Sequence, residues 1–250
     1  MLAYTVEGDI SQITQHLSGL AQEQVPFATI LALTRTAKFV QAKIKEEIPR
    51  AFDRPTPFTI NSTYVQPATK QRRYAMVYIK EAEKGRVAPI RFLQPEIYGG
   101  PRGRKSFEKR LIDAGRMPPG TYVVPARGAK LDQYGNFPGS ELVRVLSDLR
   151  AHFDTTQNRG RKRRRGKPPQ SYFSTWPPSP KTQHLKPGIY LRTTFRGLGG
   201  TAIKPVLMFV RSVSYRKRLR YFEIADQTAR MRFPYEFAIA MRHALATARR

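Results

Sequence analysis

The side chains in this sequence that could do chemistry are mostly basic, and they concentrate in one short run. The run Arg159-Gly160-Arg161-Lys162-Arg163-Arg164-Arg165-Gly166-Lys167 carries seven positive charges in nine residues. These charges repel one another, and too few apolar residues lie near them in the sequence for the segment to fold back on a core. We therefore predict an extended arm. A nucleic-acid backbone suits such an arm, because each neutralised phosphate releases counterions. An acidic protein groove is the second interpretation, and a solvated loop is the third.

Aromatic residues follow the arm directly, at Tyr172, Phe173 and Trp176. Their rings can stack on bases, or they can anchor the returning chain on the core or on a neighbouring subunit. Anchoring is the interpretation that we favour. The candidate contacts with a partner or with DNA are Arg159, Arg161, Lys162, Arg163, Arg164, Arg165, Lys167, Tyr172 and Trp176.

Patterns typical of catalytic, cofactor or metal sites do not emerge from the rest of the sequence. The four histidines are isolated from one another, and none has the spacing of a metal-ligand pair; they are His16, His152, His184 and His243. The glycines at 99–100 and 197–200 lack the lysine and hydroxyl that end a phosphate loop, and cysteine is absent. We therefore predict no catalytic, cofactor or metal site and no enzymatic activity. A hydrolase is kept as an alternative, to be recognised by turnover that one histidine or carboxylate substitution abolishes.

The overall charge requires a partner. Forty-five Lys and Arg against eighteen Asp and Glu leave a formal net charge of +27, which costs self-repulsion unless an anionic neighbour offsets it. No apolar run approaches the roughly 20 residues that cross a bilayer, and the N-terminal residues lack the pattern of a secretion signal. We expect no membrane association and a protein that is made in a cytoplasm.

Hydrophobic spacing predicts the elements that must position the arm. A long helix follows Pro26, with one stripe at Phe27, Ile30, Leu33, Ala37, Val40, Ile44 and Ile48. Runs rich in β-branched and aromatic residues predict two antiparallel hairpins, one from 58–65 and 74–79 and the other from 188–195 and 202–210, with Pro205 at an edge or a bulge. Short helices are expected over 106–114 and after Pro138. A last helix, restarted at Pro234, carries an apolar face that includes Met231.

We therefore predict an α+β fold in which a long N-terminal helix packs on an antiparallel sheet, with helical insertions, a C-terminal helix and one basic extended arm. Residues 1–154 hold the N-terminal helix, the sheet and the helical insertion. Residues 155–180 form the basic, proline-rich arm or loop. Residues 181–250 add a hairpin and the C-terminal helix, completing the same domain.

Two segments carry a resemblance to a known family. Val25-Pro26-Phe27-Ala28-Thr29-Ile30-Leu31-Ala32-Leu33-Thr34-Arg35-Thr36-Ala37, continuing as a basic amphipathic helix into Thr56-Pro57-Phe58, resembles the opening of phage minor tail protein Z and related tail-completion proteins. Arg232-Phe233-Pro234-Tyr235-Glu236-Phe237 and the following helix are similar to their closing helix. The likeness covers residues 21–65 and 206–248, whereas residues 81–180 have no counterpart in the short members of the family.

The resemblance implies a structural component of a bacteriophage virion, a tail-completion or head-tail connector subunit that assembles around the DNA channel. The implied partners are tail, connector or portal subunits, further copies in a homo-oligomeric ring, and in one interpretation channel DNA. The implied location is the tail or neck of the virion, after assembly in the host cytoplasm. The family has no active site to transfer. A sequence-independent nucleic-acid-binding protein is the alternative from another class.

Overall fold

The computed structural model describes residues 2–7, 19–81, 87–158, 169–195 and 200–247. The chain forms two compact units: residues 1–100 with 215–250, here called the helical unit, and residues 101–214, here called the basic unit. In the basic unit 23 Lys and Arg stand against 6 Asp and Glu, which leaves a net charge of +17. The helical unit has 22 against 12, which leaves +10.

The chain combines helices with antiparallel sheets, so the predicted α+β class is confirmed. A 3-10 turn forms at Thr155–Gln157. The elements are β1 (Ala3–Val6), α1 (Gly19–Ala51), α2 (Pro57–Ile60), β2 (Thr63–Gln66), β3 (Ala75–Ile79), α3 (Ile90–Tyr98), β4 (Gly100–Pro101), α4 (Ser106–Asp113), β5 (Tyr122–Pro125), α5 (Gly139–Asp148), β6 (Gln170–Ser174), β7 (Gly188–Thr194), β8 (Thr201–Val210), β9 (Ser214–Tyr215) and α6 (Tyr221–Thr247).

Helix α1 is the long amphipathic helix that the sequence predicts. Most of its stripe is fully buried, at Leu33, Ala37, Val40, Ile44 and Ile48. Phe27 is wrong as a core prediction, since its side chain is 47% exposed. Two neighbours bury α1, the sheet on one side and α6 on another, and near its start the buried positions are Val25 and Ala28.

Helix α6 packs antiparallel to α1. Ala28 and Ala32 of α1 meet Ala240 and Ala244 of α6 in a fully buried seam, while Glu47 near the end of α1 lies 3.5 Å from Arg220 at the start of α6. Small side chains let the two backbones approach closely, which extends the buried contact along both helices.

The structure corrects two details of α6. The helix runs unbroken through Pro234 instead of restarting there. Packing against α1 on both sides of the proline offsets the missing hydrogen bond, which costs about 3 kcal/mol in an isolated helix. Met231 is 64% exposed, because the face that meets α1 is built largely from alanines.

The sheet of the helical unit has three antiparallel strands in the order β1-β3-β2. The first predicted hairpin is confirmed in part, because β2 and β3 pair but Pro57–Ile60 forms a helix. Thr56 caps that helix: its Oγ1 accepts a hydrogen bond from the Thr59 amide at 3.2 Å. One face of this sheet packs on α1, as predicted.

The basic unit is built on a four-stranded antiparallel sheet in the order β5-β8-β7-β6. Helices α4 and α5 cover one face of it, where they share a core with Val123, Tyr172, Ile189, Leu191 and Phe209. The predicted hairpin of β7 and β8 is confirmed. The predicted bulge is confirmed too: Ile189 pairs with Leu207 but Tyr190 pairs with Pro205, so Val206 is the extra residue.

The predicted arm over residues 155–180 is wrong at its C-terminal part, where β6 pairs with β7. Proline and basic residues on both sides hide this short strand in the sequence. The central residues 159–168 lie outside the described residues. The predicted segments 1–154, 155–180 and 181–250 also differ from the two units of the structure, because β5 to β8 form one sheet.

Candidate functional site

The described residues on either side of the basic run are hydrogen-bonded to the basic unit. Before the run, the Asn158 Oδ1 accepts a hydrogen bond from the His152 amide at 3.2 Å. After the run, the Pro169 carbonyl accepts one from the Thr194 amide at 3.0 Å, immediately before β6 begins. The predicted contacts Arg159, Arg161, Lys162, Arg163, Arg164, Arg165 and Lys167 lie outside the described residues. On the C-terminal side of the run, the described chain therefore resumes at the sheet of this unit, beside β7.

Tyr172 is wrong as a contact residue. It is 6% exposed, its hydroxyl donates to the Glu141 carboxylate at 2.5 Å, and the Arg144 guanidinium lies 5.0 Å from its ring centroid. Its backbone amide also donates to Asp148 at 2.9 Å. Burial, together with the hydrogen bond to Glu141, raises the pKa of Tyr172. A ring enclosed in this way cannot stack on a base.

Trp176 is half-buried and packs against the core of the basic unit. Its amide donates to the Ser174 Oγ at 3.0 Å, and Ser174 in turn donates to the Arg116 carbonyl at 2.7 Å. Tyr172 and Trp176 therefore anchor the chain that returns from the basic run, which is the interpretation favoured from the sequence.

Sequence reasoning missed the side chains on the other face of the sheet. Phe173 follows Tyr172 and therefore points to the opposite face. Its ring stacks on Tyr190 at 5.7 Å, and the Arg192 guanidinium lies 4.7 Å from its centroid. The alternation of inward and outward residues along β6 and β7 was the signal that could have found this cluster.

The carboxylates of the basic unit serve its interior. Glu108 is fully buried and accepts hydrogen bonds from Arg102 at 2.9 and 2.5 Å, from the Val123 amide at 2.8 Å and from the Lys105 amide at 2.7 Å. Burial acts to raise the pKa of Glu108, but these hydrogen bonds outweigh it and hold the pKa below its usual range. The ionised carboxylate is therefore a structural anchor.

Other acidic side chains of this unit are also engaged locally. Asp132 accepts from the amides of Tyr134 and Asn136, at 2.9 and 2.8 Å. Asp154 accepts from the amide and the hydroxyl of Thr156, at 2.9 and 2.7 Å. These carboxylates close turns, so their hydrogen bonds are spent on backbone geometry rather than on the surface cations.

A groove of about 630 Å³ lies between α1 and α6 in the helical unit. Its wall includes Lys43, Glu47, Arg50, Arg220 and Tyr235. Glu47 lies 3.5 Å from Arg220 and 4.0 Å from Arg50, so part of the charge in the groove is neutralised locally. We consider it a weaker candidate site than the surface of the basic unit.

Two features are absent from the part of the chain that the structure describes. No group of three or more His, Asp or Glu side chains is arranged there to hold a metal ion. None of the described helices is both long enough and apolar enough to span a bilayer. Comparison of the chain with protein-family models, with curated proteins and with solved structures finds no match.

Proposed function

We propose that this protein is a structural subunit of a bacteriophage particle, of the tail-completion or head-tail connector type. The observation that carries the proposal is how the resembling segments fold. The segments 21–65 and 206–248 come from opposite ends of the chain, and they supply α1 and α6, which pack on each other in the helical unit. Most of residues 81–180, which lack a counterpart in the short family members, belong to the basic unit.

The packing of the helical unit suits a structural role. Its two long helices share the buried alanine seam, and Glu47 links α1 to α6 through Arg220. Arg35 of α1 lies 4.0 Å from the buried Glu236 of α6. These contacts join the two helices at both ends and in the middle, which suits a subunit that keeps its shape within a closed ring.

Charge supports an anionic partner for the assembled ring. Copies of a chain with a net charge of +27 repel one another, so a ring needs compensation from outside the subunits. A DNA channel supplies one negative charge for about every 1.7 Å of duplex. Acidic surfaces of portal or tail proteins are the other source.

Purified particles test the proposal. An early stop codon in the gene should give non-infectious particles with an incomplete tail or neck, and the same gene supplied from a plasmid should restore infectivity. Mass spectrometry should then find the chain in the restored particles. Glu46→Gln is a matched complementation control, because Glu46 lies on the exposed side of α1. A chain that is abundant in the lysate but missing from purified particles would contradict the proposal.

A sequence-independent nucleic-acid-binding protein is the second candidate, favoured by the net charge of +17 on the basic unit. This candidate predicts that the chain binds duplex DNA in cells and is absent from purified particles. The same mass spectrometry separates the two functions.

A further inference from the structure

Two exposed arginines on the basic unit lie beside aromatic rings. The Arg192 guanidinium lies 4.7 Å from the centroid of Phe173. The Arg104 guanidinium lies 6.0 Å from the centroid of Tyr122, a ring that also has the buried Arg102 guanidinium at 5.1 Å. Both arginine side chains are exposed. A ring that supports one side of a guanidinium restricts its rotamers and leaves its N–H edge free to donate.

Both arginines belong to the sheet face that α4 and α5 leave uncovered. Val123 and Leu191 point to the covered face and join its core, so Tyr122 and Arg192, their neighbours in sequence, point to the other. Tyr122 pairs with Val210 of β8 and Arg192 pairs with Ile203 of the same strand. With about 3.3 Å per residue and about 4.8 Å between strands, the two positions are roughly 25 Å apart.

Neither arginine has an ion-pair partner in the described part of the chain. Two carboxylates of the unit are paired with other cations, Glu108 with Arg102 and Glu141 with Arg144. Seven of the positive charges that give this unit its net charge of +17 belong to residues 159–167, outside the described residues. The sheet face itself offers an anion two guanidinium groups that have no ion pair.

We infer that the uncovered sheet face of the basic unit binds the sugar-phosphate backbone of duplex DNA, with Arg104 and Arg192 each contacting a phosphate. The inference rests on the proposed function and names the partner of its basic unit. A separation of roughly 25 Å lies within one turn of duplex, about 34 Å. Pro169, the first described residue after the basic run, lies at the same end of β7 as Arg192, because its carbonyl accepts a hydrogen bond from the Thr194 amide.

The face is suited to phosphates rather than to bases. Phe173 is already stacked on Tyr190 and covered by Arg192, and Tyr190 is only 6% exposed. Base stacking requires an open ring face. Binding through this surface should therefore be independent of DNA sequence.

Fluorescence anisotropy with the full chain and a labelled 20-base-pair duplex of arbitrary sequence tests the inference. The salt concentration is varied between about 50 and 300 mM, because the slope of log affinity against log salt falls by about 1 for each phosphate contact removed. The double variant Arg104→Gln/Arg192→Gln should bind several-fold more weakly, with a slope smaller by about 2.

A matched control removes the same charge from the helical unit. The double variant Lys38→Gln/Arg232→Gln is suitable, because both side chains are exposed and Arg232 lies 4.3 Å from the ring centroid of Phe39. This control variant should show the same slope of log affinity against log salt as the parent. Equal losses of DNA affinity in the two double variants would mean that only the total charge matters, and this result would overturn the inference. Binding of Arg104→Gln/Arg192→Gln with the parent's affinity would overturn it too.

Phe173→Leu tests whether the ring positions Arg192. The charge is unchanged, so affinity should fall while the salt slope stays near the parent's value; parental affinity would overturn the positioning role. Trp176 fluorescence reports whether the basic unit remains folded.

Polyglutamate is the competitor that represents an acidic protein: if it displaces the duplex at equal charge concentration, the DNA assignment is overturned. The particle composition experiment has a separate outcome, so failure here leaves the proposed function standing.

Discussion

The two units of this protein handle their acidic side chains differently. In the helical unit, carboxylates lie beside surface cations: Glu46 is 2.7 Å from Lys43, and Asp226 is 2.9 Å from Arg230. In the basic unit, Glu108 and Asp132 serve a buried anchor and a turn. The helical unit therefore neutralises part of its surface charge within itself. The basic unit uses Glu108 and Asp132 to stabilise its own fold, and although Glu141 pairs with Arg144, the exposed Arg104 and Arg192 have no ion pair in the described part of the chain.

The largest effect should follow from removing the buried anchor of the basic unit. Glu108→Gln leaves the Arg102 guanidinium buried without its counter-ion, so we expect a loss of about 3–5 kcal/mol in the free energy of unfolding. Urea unfolding followed by the fluorescence of Trp176, the one tryptophan of the chain, measures it. Glu46→Gln should be indistinguishable from the parent, because its ion pair is exposed. A loss no larger than that of the control would show that Glu108 is not an anchor.

Shortening a buried side chain of α1 should have the next largest effect. Ile44 is fully buried, so Ile44→Ala should cost roughly 2–5 kcal/mol through lost burial and the cavity left behind. Helical circular dichroism during urea unfolding measures the change, since α1 and α6 supply most of the described helix. Phe27→Ala, at a position that is 47% exposed, is the control and should cost less than half as much. Equal losses would mean that the orientation of α1 is wrong.

Acid should weaken the basic unit through the same anchor. The pKa of Glu108 is lowered in the folded state, so its contribution is complete above the unfolded pKa, about 4.3, and is lost as the pH falls through the folded value. The urea midpoint reported by Trp176 should therefore fall below about pH 4.3. A midpoint that is constant down to pH 3 would contradict this account of Glu108.

Regular patterns in the sequence were sufficient for much of the fold. The stripe from Leu33 to Ile48 has the helical period, and the β7-β8 hairpin has the composition of strands, so both could be predicted. Strand β1 is only four residues long and gains its stability from pairing with β3. Phe27 and Met231 were predicted on the apolar faces of their helices but are exposed. The buried face of each helix depends on which helix packs against it, and the alanines that form this contact are too small to stand out in the hydrophobic pattern of the sequence.

The candidate site was predicted less well for a related reason. The basic run is visible from charge alone, but the orientation of Tyr172 and Phe173 depends on β6, which its neighbours in sequence conceal. The pairing of Arg104 with Tyr122 joins residues from a loop and a strand, and no local pattern encodes it. Which carboxylates remain available could be decided only from the three-dimensional hydrogen bonds.

The response of the two units to DNA tests directly whether the basic unit holds the DNA-binding surface. Urea unfolding of the full chain is followed by Trp176 fluorescence for the basic unit and by helical circular dichroism for the helical unit, with and without a 20-base-pair duplex. At a duplex concentration of about 100 times the dissociation constant, binding should stabilise the basic unit by about 2.7 kcal/mol. We expect the fluorescence transition to move to higher urea concentration while the dichroism transition stays in place. Equal shifts of both transitions, or no shift of either, would contradict it.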